Sequence, residues 1–426
     1  MVIGTPMVSR IGFGSWSAQS AGRVVSSSAA LVGAARPFNG RTSSMMNGIT
    51  RHLLPAAIIT FAVSGVTAVR ADAQQNAYLV TPLVSDLAGK AAVQDPNLKN
   101  SWGVTFTPAA SPFWISDNAN GLSTLYDGDG TIVNLVVTIP CPPKAGQGSA
   151  CPASASPTGM VWNPTTSVTT GFLVPGTKLP ASFIWATEDG TISAWTNGLT
   201  PADNAVLAVD NSTEPSAKLG AVYKGLAVGV NVNGVFLFAT NFRAGTVDVF
   251  APAPANSATG FYVPATTDGG FQDPNIPPGF APFGIQNING DLFVTYAKQT
   301  ASKHDDVAGP GNGFVDVFDT NGHLLRRFAS QGALNSPWGV ARASFAFGLF
   351  SGQILVGDFG DGRINVFDSN GNFLAQLGTT NGKALVINKL WTLTLGGGAK
   401  SSSDTLYFTA GPNNQTNGLF GTIAPQ

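Results

Sequence analysis

The sequence predicts an all-β chain: a six-bladed β-propeller of four-stranded antiparallel blades, the last blade closed by an N-terminal strand. Three observations carry this. One motif recurs six times at spacings of 53 to 66 residues, and self-similarity at such a period marks a repeat architecture. Each copy holds short runs rich in aromatic and β-branched residues, several of them followed by Asn-Gly or Asp-Gly turns. The chain has 51 Gly and 28 Pro in 426 residues and only 11% charged residues, a turn-rich composition poor in helix formers.

The first strand of each copy opens at Trp102-Gly103, Thr158-Gly159, Lys224-Gly225, Phe283-Gly284, Trp338-Gly339 and Trp391-Thr392. Pro157, Pro282 and Pro337 precede three of these pairs, where a strand start needs no ladder donor. The second strands are apolar runs, such as Phe113-Trp114-Ile115-Ser116, Phe183-Ile184-Trp185-Ala186 and Ile354-Leu355-Val356-Gly357. Such runs read as strands buried on both faces. Third strands half-alternate, as in Phe314-Val315-Asp316-Val317-Phe318 and Arg363-Ile364-Asn365-Val366-Phe367. Outer strands are predicted at Ile132–Ile139, Leu324–Phe328 and Phe373–Leu377. The sixth copy stops after its third strand, near 419–423. The orphan run Tyr78–Val84 is therefore predicted to supply its outer strand and to close the ring, removing exposed edges.

The amino terminus reads differently. No Asp or Glu occurs before Asp72. Residues 45–73 read as a signal peptide: a basic start at Arg51-His52, an apolar run from Leu53 to Val69, and an Ala71-Asp72-Ala73 exit. Residues 1–44 are a disordered extension or a misassigned start, with an organellar transit peptide as the other reading. Residues 76–426 form one propeller domain. Removing 1–73 takes away six arginines and one acid, which leaves a weakly acidic product without a basic cluster. That excludes nucleic acid as a partner. A secreted or periplasmic location follows, with no stable membrane anchor in the mature chain, and a monomer is expected. Cys141 and Cys151 lie in the link between the first two copies, and an exported chain is expected to pair them as a disulfide.

Strand order sorts the loops. Loops from second to third strands share one face with the links between blades, and most long insertions fall there: 140–157, 209–223, 251–281 and 297–313. The insertion 164–181 goes to the other face. Long loops on a rigid scaffold carry binding, so the first face is the candidate functional face. The residues leaving the second strands come to its axis. Asp117, Asn118, Glu188, Asn241 and Asp358 form a candidate oxygen-ligand set for a divalent cation, calcium being the cofactor they suit. Turn capping by the same Asp and Asn side chains is the competing reading. Trp102, Trp338 and Trp391 read as core. His304, beside Asp305 and Asp306, could serve as a general base, but its place in a long loop predicts a solvated tip. His323 follows Asn321-Gly322 and reads as a solvated turn. No catalytic motif with fixed spacing is present, so the catalytic residues are left unassigned.

The pattern P-x-G-V/I, then an apolar strand ending in Asp, then G-R-I-x-V-F-D and an N-G turn resembles NHL-type propeller repeats. Residues 337–377 carry it best. With Asn100-Ser101-Trp102-Gly103-Val104 and Trp114-Ile115-Ser116-Asp117-Asn118, the chain is similar to a family of exported bacterial propeller proteins, some of which end in a PEP-CTERM sorting tail. The sequence ends at Thr422-Ile423-Ala424-Pro425-Gln426 without that tail, so a released product is expected. The resemblance implies no activity. The expected function is binding of a protein or glycan partner through the loop-rich face. The alternatives are a calcium-dependent hydrolase of lactones or esters and a structural extracellular protein.

Overall fold

The computed structural model describes residues 75–109, 111–143, 154–167, 169–216 and 218–426. The expectations for 1–44 and 45–73 fall outside the described residues. Six antiparallel sheets follow one another along the chain. Their innermost strands are Ser101–Thr105, Pro157–Trp162, Tyr223–Asn231, Phe280–Ile288, Pro337–Arg342 and Leu390–Leu395. Each touches the next and the sixth touches the first, which closes a ring. The chain is the six-bladed propeller that the repeat predicts.

The anchor glycines explain how closely the blades meet. A Cβ on Gly103 would lie 2.5 Å from the Thr158 carbonyl. One on Gly159 would fall on the backbone of Gly225 and Leu226, and one on Gly284 on the backbone of Trp338. Only glycine permits this approach. The sixth blade carries Thr392 at the same point, and its hydroxyl donates to the Trp102 carbonyl at 2.6 Å, sealing blade 6 to blade 1. Thr158 and Thr240 make matching bonds to the carbonyls of Tyr223 and Phe283 in the next blade, at 2.8 and 2.9 Å.

Blade 6 is completed from the other end of the chain. Tyr78–Ser85 pairs antiparallel with Leu419–Pro425, from Tyr78 opposite Pro425 to Ser85 opposite Leu419, with a bulge between Pro82 and Val84. Val84 is fully buried with Leu98, Phe113 and Phe420. The Tyr78 ring stacks on Phe347 and its hydroxyl donates to the Phe347 carbonyl at 3.0 Å. A two-residue strand, Val93–Gln94, adds a parallel fifth member that the sequence does not announce.

The second strands Phe113–Asp117, Phe183–Thr187, Ile354–Asp358 and Leu406–Ala410 are buried throughout. Between blades the core is aromatic, as where Trp114 stacks on Phe183 at 4.1 Å. The Asn-Gly turns form, but with only the glycine at positive φ. Gly322 and Gly371 have φ of 78° and 89°, and Asp319 and Asp368 accept from the backbone N–H groups of their own turns. One outer strand is shorter than predicted. Within 132–139 only Val137–Thr138 pairs as a strand, because the Leu135 N–H turns back to the Val133 carbonyl at 2.7 Å and breaks the ladder.

Candidate functional site

The first residues of the inner strands converge on the axis. There Trp102, Phe283, Trp338 and Trp391 join Phe242 and Phe359 in one buried cluster. Trp102 stacks on Trp391 with centroids 3.6 Å apart, and Trp338 meets Trp102 edge-on at 6.2 Å. The tryptophans are core, as the sequence reading has them. They fill the axis and separate its two ends.

Lys224 occupies the position that carries an aromatic residue in four of the other copies. Its side chain is only 3% exposed. The ammonium donates to Glu188 Oε1 and lies 3.9 Å from Asp305 Oδ1. It also sits over the rings of Trp102 and Phe242, at 5.4 and 5.9 Å from their centroids, which supplies cation–π attraction to a desolvated charge. The other oxygen of Glu188 accepts from Asn118 Nδ2 at 2.9 Å. Asn118 Oδ1 in turn accepts from Asn100 Nδ2 at 3.0 Å, and Asn100 Oδ1 accepts from Trp391 Nε1 at 3.1 Å. Asn100 holds a left-handed backbone, φ 47°. One hydrogen-bonded chain thus runs from blade 6 through blades 1 and 2 to blade 3.

The long inner loop of blade 4 extends it. An isolated bridge between Gln299 and Asp306 folds this loop back on itself. His304 Nδ1 lies 2.9 Å from Asp305 Oδ1. Ligand atoms of Glu188, His304 and Asp305 all lie within 4.8 Å of one another. His304 therefore stands beside the axial cluster while its side chain stays 38% exposed, on the solvated loop expected of it. His323 keeps to its turn, 3.1 Å from Asp319 Oδ2.

The charges respond to these surroundings. Burial works to raise Glu188, but the Lys224 charge and the hydrogen bonds from Lys224 and Asn118 outweigh it and hold the carboxyl below its usual range. The hydrogen bond with His304 is the main cause that lowers Asp305. Burial pushes Asp306 and Asp189 up, and Asp189 Oδ2 accepts from the Ser156 N–H at 2.7 Å.

Of the five oxygen-bearing residues expected at the axis, the structure joins Asn118 and Glu188. The other three bond within or beside their own blades. Asp117 Oδ2 accepts from the N–H and the hydroxyl of Thr124, at 3.0 and 2.8 Å. Asp358 Oδ2 accepts from Asn365 Nδ2 at 2.7 Å. Asn241 Oδ1 caps its turn by accepting from Ala244 N–H, and its Nδ2 donates to Asp248. Burial pushes Asp117 and Asp358 well above the usual carboxylate range, so both favour the neutral acid. Sequence reasoning missed Lys224 and Asn100. The available signal was a lysine beside Gly225 where Trp or Phe stands in other copies. Cys141 packs half-buried at the edge of the blade 1–blade 2 core; its expected partner Cys151 lies outside the described residues.

No family model matches the chain. Uncharacterized protein L690 of Acanthamoeba polyphaga mimivirus is 30% identical over 349 residues, which cover 81% of this chain and 85% of that protein. Uncharacterized protein R648 of the same virus is 29% identical over 343 residues, 80% of this chain and 78% of that protein. The chain belongs to the family of these viral proteins. These relatives are viral, whereas the resemblance in the repeats pointed to exported bacterial propellers. Solved structures of similar outline include a putative gluconolactonase, with a TM-score of 0.45 at 15% identity over 83% of this chain and 94% of that one. Regucalcin from Agrobacterium tumefaciens, titled a calcium-binding protein, has a TM-score of 0.39 at 11% identity over 78% and 94%. Virginiamycin B lyase from Staphylococcus aureus has 0.38 at 11% over 82% and 99%.

Proposed function

We propose that this chain is an exported binding propeller that holds a glycan or protein partner at the axial end of its loop-rich face. The observation that supports it is the Lys224–Glu188 pair. The carboxylate best placed to catch a metal ion already has both oxygens engaged, one by an ammonium from its own fold. What remains is a set of amides, carboxylates and one imidazole, oriented by a shared network and ringed by long loops. Such groups suit the hydroxyls of a glycan, for which pre-oriented donors and acceptors reduce the ordering cost of binding. A glycan array probed with the full chain tests the reading. Saturable binding to a defined glycan set, lost when residues 300–311 are replaced by a short Gly-Ser turn, is the expected result. An array that stays blank, or binding indifferent to the loop, would refute a glycan ligand.

A second reading has one observation in its favour. Glu188, His304 and Asp305 can offer ligand atoms within 4.8 Å of each other, and with Asn118 they could hold calcium or another divalent ion for ester or lactone hydrolysis. A divalent ion there would have to displace the Lys224 ammonium or share Glu188 with it, and like charge at that distance opposes it.

A further inference from the structure

The two ends of the axis differ in chemistry. Beyond the tryptophan cluster, where the inner strands run out to the opposite face, the structure holds two cavities of about 480 and 550 Å³. Both border Gln286 and Asn287 of blade 4, so they flank one strand of the same ring. The first is walled largely by Val104, Phe106, Met160, Trp162, Leu226 and Val228, from blades 1 to 3. The second is bordered by blades 4 to 6, with Val340, Leu393, Leu395 and Phe345 on its wall. The first has no charged residue on its border, whereas Arg342 and Asp404 border the second. Each inner strand is also the edge of its sheet, so its outward row of backbone N–H and C=O groups faces the axis without a ladder partner.

We propose that this end is a second binding site, for a small apolar molecule carrying one hydrogen-bonding group. The size lies within the range of small-molecule pockets, and the apolar side chains alternate with polar ones, Thr105, Asn287 and Thr320 in the first cavity and Arg342, Ser344 and Asp404 in the second. Burying apolar surface there supplies the affinity, at about 25 cal/mol per Å². Gln286 supplies the orientation. Its amide is exposed and makes no hydrogen bond to the described residues, whereas the neighbouring Asn287 is spent on the Val228 carbonyl and the Gly290 N–H. Exposed apolar side chains also stand at the rim: Val230 is 60% exposed on the first cavity and Phe345 is 86% exposed on the second, while Val232, 97% exposed, stands in the adjoining hairpin outside both.

Nile red, a neutral apolar dye with one carbonyl acceptor, is the probe, and decanol the competitor. The full chain is expected to bind the dye saturably and to release it to decanol. Val230→Glu, at an already exposed site on the cavity wall, is expected to weaken binding tenfold or more without changing the melting temperature. Val232→Glu is expected to stay within twofold of the parent. Should Val230→Glu prove to unfold the chain, Gln286→Leu reads the same site, with decanol displacement weakened at least threefold. Absence of saturable dye binding would overturn the proposal, as would unchanged affinity in Val230→Glu or Gln286→Leu. Equal losses in Val230→Glu and Val232→Glu, or sedimentation with phosphatidylcholine vesicles that Val232→Glu abolishes, would overturn it in favour of a lipid-facing rim.

Discussion

The Lys224 ammonium reaches across the boundary between blades 2 and 3 to Glu188, over the ring of Trp102. This places the ammonium of an almost fully buried lysine between Glu188 and Asp305 at the axis of the loop-rich face. Removing it leaves Glu188 half-served in a largely buried site. Breaking one partner of such a pair costs about 3–5 kcal/mol, so Lys224→Met is expected to lower the unfolding free energy by that order in guanidinium denaturation. Lys224→Met/Glu188→Gln should recover much of the loss. Equal instability of the single and double variants would show that packing, not charge, is what Lys224 contributes.

The glycine anchors give a second test. Gly284→Ala drives a methyl group onto the Trp338 backbone at the blade 4–blade 5 contact. Overpacking of this kind costs about 3 kcal/mol at the upper end of its range. Gly176→Ala has φ 73° and nothing within 4 Å of the new methyl, so only backbone strain of about 1 kcal/mol is expected. Thermal denaturation of the two variants checks the order.

Asp117 makes stability depend on pH. Burial raises its folded-state pKa well above the ordinary 3.8, although the Thr124 hydrogen bonds work the other way. The folded protein therefore holds this proton more tightly than the unfolded chain. The stability it contributes is fully present below about pH 4 and is lost as the pH climbs through the folded-state value. Asp117→Asn keeps an acceptor for Thr124 and cannot ionise. Its melting temperature should gain on the parent between pH 4 and pH 8; a constant difference across that range would contradict the assignment.

Ring closure gives a fourth. Val84→Asp puts an unpaired charge in the buried cluster with Leu98, Phe113 and Phe420. Blade 6 then loses the strand from the chain's other end, and a loss above about 3 kcal/mol is expected. Proteolysis should cut first between residues 75 and 95 in this variant. Unchanged cleavage kinetics would mean that Tyr78–Ser85 does not hold the ring shut.

The fold was readable because its determinants are local and repeated. The pairs beginning at Trp102-Gly103 and Trp338-Gly339 recur at one place in each unit, and Gly322 needs nothing beyond its own turn to take positive φ. The closing strand was readable by elimination, since Tyr78–Val84 had no unit of its own. The axial site was less so. Asp117, Asn241 and Asp358 stand where the axis was expected, yet their side chains turn to Thr124, Asp248 and Asn365, neighbours on the adjoining strand. Lys224, Glu188, Asn118 and Asn100 come together from separate blades, and no spacing along the chain encodes that meeting. His304 required the path of a long loop, which the Gln299–Asp306 bridge sets.

The most direct test is a calorimetric titration of the full chain with calcium, alongside Lys224→Met and Glu188→Gln. If the Lys224 ammonium already serves as the cation of the axial mouth, the parent should give no binding heat up to millimolar calcium. Stoichiometric calcium binding by the parent, abolished in Glu188→Gln, would contradict the account and move the chain to the metal-dependent reading.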